Sequence, residues 1–432
     1  MATTTGYQTR SFGEAAERLG VDLVFATDRC HLIDDPWRDG AVPIRFHDED
    51  ASVQAILDAA ALNPLDGLLV VGDRPTVIAA RVAEALGLPG HPPAAAAAAR
   101  HKRLTRERLR DAGLPVPWFT TSTVDSPELT ADGRLATADR FPCVIKPVSL
   151  SGSRGVMRAD DPASLRAAVE RLRTLLQSPD IRAERNEAHR EILVEGFIPG
   201  HEYAVEGVLD RGRLQLFAIF DKPEPLDGPF FEETIYVTPP DLDAPAQARI
   251  ERAIAAAAAA LGLWHGPIHA ECRVSTDGVS VLEVAARPIG GLCARALQFE
   301  RVPTPDSRFP SPGPRIPLEE LLMRHAVGEP VTGWQRERSA SGVMMIPIPK
   351  RGIFRGVEGA DAASAVSGID EVRITAKPDQ LLLPLPEGAS YLGFIFAHAR
   401  TPHDVVEALR TSHDALHFAI DPELQMVQSR HG

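Results

Sequence analysis

The chain has 432 residues, 44% of them apolar and 24% charged, and a formal net charge of −13. That length allows roughly two to four domains around a large core, in a composition typical of globular proteins. The acidic balance, with no Lys/Arg-rich run to offset it, argues against a nucleic-acid partner, and no apolar run approaches membrane-spanning length.

Residues 1–100 alternate short apolar runs with helical patterns. Strands are predicted at Val21–Ala26, Ala41–Phe46 and Gly67–Val71, and helices at Ser11–Leu19, Ser52–Ala61 and Pro75–Leu86. Such alternation means a parallel sheet with helices on both faces. Only Ala2–Thr5 precede Gly6-Tyr7, so the first strand is either very short or cut by the choice of start codon. There is no G-x-G-x-x-G, which leaves a dinucleotide site without local support. The alanine runs Ala94–Ala99 and Ala255–Ala260 are read as helix, because both abut charged helical residues.

Lys102–Ala112 is a basic helix stopped by Gly113 and two prolines; lysines on such a helix are ordinarily a solvated face. Phe141–Lys146 is a strand ended by Pro147, and it runs into Ser149-Leu150-Ser151-Gly152-Ser153-Arg154-Gly155. Small residues let the backbone approach a phosphate chain, and successive N–H groups cradle its oxygens. Most short Ser/Gly loops are plain turns, and this one lacks the Walker A pattern, but it follows a strand that ends in a lysine. A helix over Asp161–Leu176 is capped by Asp161. Arg182–Arg190 is an exposed helix or loop. A strand from Glu191 and a second to Leu209 flank a Pro199-Gly200 turn, with Glu195 and Glu202 on either side, and Leu214–Phe220 is a third. Asp221–Pro240, with Lys222, Phe230, Phe231, Glu232 and Glu233, is a long irregular segment of the kind that forms lids and substrate loops. Ala244–Leu261 is a helix capped by Asp243, with Pro245 in its first turn.

His265–Gly291 holds the densest chemistry. Thr276-Asp277-Gly278 is a turn between two strand-like runs. With a hairpin centred on Asp277, residues whose numbers sum to 554 face each other, and Glu271 faces Glu283. Opposed carboxylates with Cβ atoms roughly 5 Å apart repel unless a cation lies between them, and a hard dication such as Mg²⁺ suits their oxygens. A surface hairpin with two solvated glutamates is the bland alternative. Arg287 follows, a planar fork donor, and then Pro-Ile-Gly-Gly, whose free N–H groups suit an anion. His265 and His269 are four apart, but Gly266 and Pro267 between them rule out a helix, so a structural or substrate-shell role is preferred over a metal site. Trp118, Trp264 and Trp334 are read as packing residues.

Beyond Gly291 the pattern turns helical. Val302–Pro314 is a Pro/Ser-rich loop, and Leu318–Ala326 a short helix. A last unit has strands Gly342–Pro347, Val372–Thr375, Tyr391–Ala397 and Phe418–Ile420 with helices Ala360–Ala365 and Thr401–Leu416, expected as an α+β layer packed on the preceding sheet. The cysteines Cys30, Cys143, Cys272 and Cys293 form no C-x-x-C, which fits reduced thiols. With no signal-peptide pattern, a cytoplasmic protein without a membrane partner is expected.

In order, HKRLTRERLRDAGLPVP, FPCVIKP, SLSGSRGV, ILVEGFIPGHEYAVEG, GPIHAE and VLEVAARPIGG resemble the ATP-grasp superfamily over most of the chain. EVAARPIGG, the DKPEP…GPFFEE segment and the unit opening GVMMIPIPKRG are similar to the bacterial L-amino acid ligases, which join two amino acids, or an amino acid and another carboxylate, at the expense of ATP. The resemblance implies an α/β and α+β ATP-grasp fold. It comprises a doubly wound N-terminal domain (1–100), a linker helix and lid (101–200), a large mixed or antiparallel domain with the metal and substrate site (201–335) and a C-terminal α+β subdomain (336–432). It implies ATP and Mg²⁺, or Mn²⁺ in its place, as cofactors, small-molecule carboxylate and amine substrates, and a homodimer.

The same resemblance implies roles. Lys102 and Lys146 would hold the phosphates, with Ser151, Gly152, Ser153 and Gly155 as the lid over them. Glu195, Phe197 and Ile198 would lie at the adenine and Glu202 at the ribose. Glu271 and Glu283 would hold the metal, and Arg287 would be catalytic with Lys146. Lys222, Glu233, His269, Arg287, Gly290 and Gly291 would meet substrate, with Glu233 or His269 as the amine's base. One departure stands out: Ala285 sits where many members carry an Asn that helps hold a second Mg²⁺. The rival readings are another ATP-grasp chemistry, such as purine-pathway ligation or a carboxylase, and a nucleotide-binding module without catalysis. No biotinyl-lysine motif supports a carboxylase.

Overall fold

A computed structural model describes residues 1–3, 6–28, 41–124, 140–302 and 314–423. Cys30, most of the Val302–Pro314 loop and the last residues lie outside that set. No helix among the described residues is long and apolar enough to cross a membrane.

The N-terminal unit is a four-stranded parallel sheet in the order Ala41–Pro43, Phe25–Thr27, Ala2–Thr3, Val70–Val71. The strands are shorter than expected, the first being two residues long. The helices Gly6–Leu19, Glu49–Leu62 and Thr76–Leu86 accompany it. Asp48 caps the second of these by accepting from Ala51 N, and Gly87 closes the third in the left-handed region at φ 67°.

The unit expected as the lid holds an antiparallel sheet in the order Phe119–Thr123, Glu191–Gly196, Cys143–Pro147, Met157–Ala159. Helix Pro162–Leu176 packs on it, with Asp161 and Ser164 forming a capping box. Gly155, at φ +74°, ends the Ser/Gly loop. An added Cβ would lie 2.9 Å from Leu172 and 3.2 Å from both Leu175 and Pro147, so this glycine answers to packing.

Eight strands form the central sheet, in the order Gly278–Ala285, Gly266–Ser275, His201–Asp210, Arg213–Asp221, Ile235–Thr238, Ala340–Ile346, Gly393–Ala399, Ile369–Ile374. Three sequence expectations change here. Pro199-Gly200 joins no hairpin, because the strands either side belong to different sheets. Asp221–Pro240 is not wholly irregular: Ile235–Thr238 is a buried strand within it. The C-terminal unit does not stack on the sheet; Ala340–Ile346 pairs with Ile235–Thr238 and continues it edge to edge. Period alone does not tell a stacked strand from an added one when both are continuously apolar.

Helix Ala244–Leu261 covers one sheet face. Ile250, Ile254, Ala257, Ala258 and Leu261 recur at helical spacing and are fully buried against Val205, Ile219, Ile268 and Ala270. Each large side chain so buried contributes about 1.5–3 kcal/mol. The other face packs on Phe12, Ala15 and Ala16 of the first helix and on Leu321 and Leu322 of helix Leu318–Ala326. The sheet is thus gripped from both sides.

Candidate active site

The hairpin brings Glu271 and Glu283 opposite each other, by a different route from the one expected. Near the turn the register sums to 553: Ser275 faces Gly278 and Cys272 faces Val281. A bulge at Leu282 then shifts the pairing, and Glu271 meets Glu283. Without it Glu271 would face Leu282, and Glu283 would turn to the opposite side. Arg106 Nη1 donates to the Leu282 carbonyl at 2.9 Å, so a buried cation holds the bulge.

The same guanidinium donates to both oxygens of Glu195, Nε to Oε2 at 2.8 Å and Nη2 to Oε1 at 3.0 Å. Lys146 Nζ lies 2.5 Å from Glu195 Oε1. Burial opposes the Glu195 charge, but Arg106 and Lys146 outweigh it and hold its carboxyl down at about 2. Burial also lowers Lys146 to about 8, against the pull of Glu195. Lys102 donates to the Leu150 carbonyl at 2.6 Å and lies 3.5 Å from Glu283, bridging the Ser/Gly loop and the hairpin.

Lys222, 3% exposed, sits at the centre of three carboxylates: Glu202 at 2.8 Å, Glu233 at 2.7 Å and Glu271 at 2.8 Å. These three carboxylates converge closely enough to hold an ion, but a fixed ammonium fills their meeting point. Burial opposes the Lys222 charge, and the three glutamates hold its pKa well above the usual value. Glu233 also accepts from Tyr236 Oη at 2.8 Å; burial, reinforced by its acidic neighbours, lifts its carboxyl to about 7. Glu202 gives its other oxygen to Arg273 Nε at 2.9 Å. Arg273 and Arg158 lie 4.9 and 4.6 Å from the Phe197 ring centroid, and Phe231 stacks on Phe197, a flat aromatic and cationic wall.

His269 Nδ1 is bound by Glu206, whose other oxygen accepts from Ile289 N at 3.1 Å. Burial disfavours its charge, yet Glu206 outweighs burial and pushes His269 up to about 9. Arg287 is paired bidentately with Asp73 of the N-terminal unit, Nε to Oδ1 at 2.9 Å and Nη2 to Oδ2 at 3.1 Å, and donates from Nη1 to the Pro288 carbonyl. A guanidinium has five N–H groups, so one on each Nη is left over among the described contacts.

Most of these groups line one cleft, with a cavity volume of about 600 Å³. Lys102, Lys146, Ser151, Gly152, Ser153, Glu195, Phe197, Ile198, Glu202, Glu233, His269, Glu271, Glu283, Arg287, Gly290 and Gly291 all face it. Gly155 and Lys222 do not. Gly155 donates its N–H to the Pro386 carbonyl at 2.9 Å behind the loop, and Lys222 lies beneath the carboxylates. Sequence reasoning did not single out Asp73, Arg106, Glu206, Tyr236 or Tyr391. Arg106 was within reach, one helical turn after Lys102, and so was Glu206, on the same strand face as Glu202. Asp73 and Tyr391, which also lines the cleft, come from distant units and leave no local signal.

This combination of a small antiparallel sheet, a bulged carboxylate hairpin and an inter-sheet cleft is an ATP-grasp architecture. Residues 139–296 match the ATP-grasp domain, and residues 13–90 match the ATP-grasp N-terminal domain. The chain belongs to the ATP-grasp family, and its residues 344–421 match the L-amino acid ligase C-terminal domain 2. The crystal structure of L-amino acid ligase from Bacillus licheniformis superposes with TM-score 0.78 at 27% identity, over 97% of this chain and 98% of that one. Carnosine synthase 1 of Gallus gallus is 32% identical over 56% of this chain and 26% of its own length. Alanine–anticapsin ligase of Bacillus subtilis is 27% identical over 56% of this chain and 52% of its own. The chain therefore spans about a quarter to a half of these two curated relatives.

Proposed function

We propose that the chain is an ATP-dependent ligase that joins an amino acid or similar carboxylate to an amine through an acyl phosphate, releasing ADP and phosphate. The observation that carries this reading is convergence: two lysines, a Ser/Gly loop, a carboxylate pair and an arginine, from separate parts of the chain, face one cleft.

Glu271 and Glu283 fit a hard dication, since both are carboxylates on one hairpin face with Lys102 and Lys222 as balancing charges. A Mg²⁺ or Mn²⁺ ion held there would neutralise phosphate oxygens. Ala285 offers no amide, so Glu271 and Glu283 would be left to hold any second ion without that help. Lys102, Lys146 and the Ser151–Ser153 backbone hold the phosphate chain in line with the attacking carboxylate, which is positioning plus electrostatics. The adenine lies against the Phe197 wall near Ile198, with Glu202 at the ribose. The spare Arg287 N–H groups meet the oxyanion as the amine attacks the acyl phosphate. Gly290 and Gly291 offer N–H groups to a substrate carboxylate. Glu233 serves as the amine's base: it faces the cleft, and a carboxyl near 7 suits proton transfer at neutral pH. His269 is the weaker choice, with Nδ1 engaged by Glu206.

ADP and phosphate release from MgATP, measured against a matrix of amino-acid pairs with mass spectrometry of the products, tests this. Pair-dependent ADP with a product mass equal to both substrates less water is expected. ATP binding without turnover on any pair would favour a nucleotide-binding module or a substrate that is not an amino acid.

A further inference from the structure

We propose that Asp210, His265 and His325 form a site for one first-row transition-metal dication of the Zn²⁺ type, separate from the nucleotide cleft and independent of the ligase reading. The sheet register sets the first two ligands. Gly266 faces Leu209, so the next residues outward, His265 and Asp210, come side by side, with His265 Nδ1 3.3 Å from Asp210 Oδ1. Helix Leu318–Ala326 supplies the third from its last turn. One ligand atom from each residue lies within 4.8 Å of the others. Along the strand, His265 is about 20 Å from Glu271, at about 3.3 Å per residue.

The bland alternative is a pair of core histidines filling space. Their rings do stack, with centroids 4.3 Å apart and planes 19° from parallel. His265 and His325 are only 8% and 5% exposed, yet His325 Nε2 is buried without a hydrogen-bond partner and His265 Nδ1 has only the Asp210 carboxylate beside it, at 3.3 Å. Leaving a buried ring nitrogen unpaired costs free energy. Neighbouring His91 shows what a satisfied core histidine looks like here: Nε2 lies 3.2 Å from the Pro267 carbonyl, and Nδ1 accepts from Trp264 N at 3.1 Å.

Two imidazoles and one carboxylate are a zinc donor set with a fourth position left for water. Burial disfavours the charge on both imidazoles, and the neutral ring is the form that offers a metal its lone pair. Beside them is a cavity of about 40 Å³ that His91, His265 and His325 help to line, and the Asp210 side chain is 60% exposed, which gives an ion a way in. An imidazole lone pair lies in its ring plane, so for both stacked rings to reach one ion His325 would have to turn about its Cβ–Cγ bond. The bound ion would tie helix Leu318–Ala326 to the edge of the strand that carries His269 and Glu271.

The test is a Co²⁺ titration of the metal-stripped full chain without nucleotide and in a large excess of Mg²⁺. One Co²⁺ per chain is expected, with the intense visible bands of a four-coordinate ion, displaced by Zn²⁺; Zn²⁺ should also raise the melting temperature. Because changes outside the ligand shell already cost about 10–100-fold in affinity, H325Q and D210N should each weaken binding by about 100-fold or more, with ATP binding unchanged. Asp210 is on the surface, so D210N tests the site even if H325Q fails to fold. Absence of a stoichiometric Co²⁺ spectrum in the unmodified chain, or a spectrum that survives both substitutions, overturns the proposal.

Discussion

At the scale of single residues, buried charges organise the cleft. Arg106 is 1% exposed and serves two masters, the Glu195 carboxylate and the bulge carbonyl of Leu282. Removing one partner of a buried ion pair leaves the other uncompensated. Arg106→Met should therefore destabilise the fold by about 3 kcal/mol, read from denaturant midpoints, and weaken ATP binding with it. An unchanged midpoint would mean that Lys146 alone satisfies Glu195. Lys146 gives a pH signature. Its folded pKa is lowered from 10.5 to about 8, so the free protein loses this charge as pH passes about 8. ATP affinity should fall through that window, and K146R should flatten the fall. Between about 8 and 10.5 the unfolded chain binds the extra proton, so this group's contribution to stability rises with pH there. An affinity that stays level in the unmodified chain from pH 7 to 9 would contradict the assignment. The motif residues that share the cleft could be picked out from sequence because each motif is a local pattern of residue type and spacing. Lys222 was legible as important but not in kind: only the fold shows its ammonium filling a cage of three glutamates.

Among elements, helices and caps were read well and strand partnerships less well. Helices Ala244–Leu261 and Leu318–Ala326 have the expected bounds, because a 3.6-residue period with a cap is local information. The hairpin pairing of Glu271 with Glu283 came from a symmetric register that the chain does not follow; the Leu282 bulge restores it. A bulge held by Arg106 from a distant helix has no local signature. Pro199-Gly200 looked like a hairpin turn, and its role as a crossing between sheets depends on close approach. Gly200 has φ +120°, and an added Cβ would lie 2.5 Å from the Val274 carbonyl. Gly200→Ala should cost about 2 kcal/mol by this strain and shift Glu195 relative to Glu202. Thermal unfolding measures the first effect and ATP affinity the second. A variant matching the unmodified chain in both would show that the crossing is pliable.

Across the whole molecule, the N-terminal unit reaches into the site through Asp73, which clasps Arg287 from 214 residues away in sequence. Arg287 holds its position because two units meet there: burial opposes the Asp73 charge, and Arg287 outweighs it and holds Asp73 below the usual carboxylate range. Asp73→Asn keeps the shape and removes the charge. It should lower kcat by about 100-fold through misplacement of the fork and leave ATP affinity within about threefold. Equal losses in both would make Asp73 a general structural support. Such long-range pairing was illegible in the sequence, as was the edge-to-edge joining of Ala340–Ile346 to the central sheet, since both depend on how distant elements assemble.

The central claim is that the cleft activates a carboxylate as its acyl phosphate. Its most direct test uses a carboxylate substrate labelled with ¹⁸O, supplied with MgATP and an amine, with mass analysis of the phosphate released. Transfer of one labelled oxygen to phosphate is predicted, because the substrate oxygen that attacks the γ-phosphate leaves with it when the amide forms. Unlabelled phosphate alongside amide product would contradict the account.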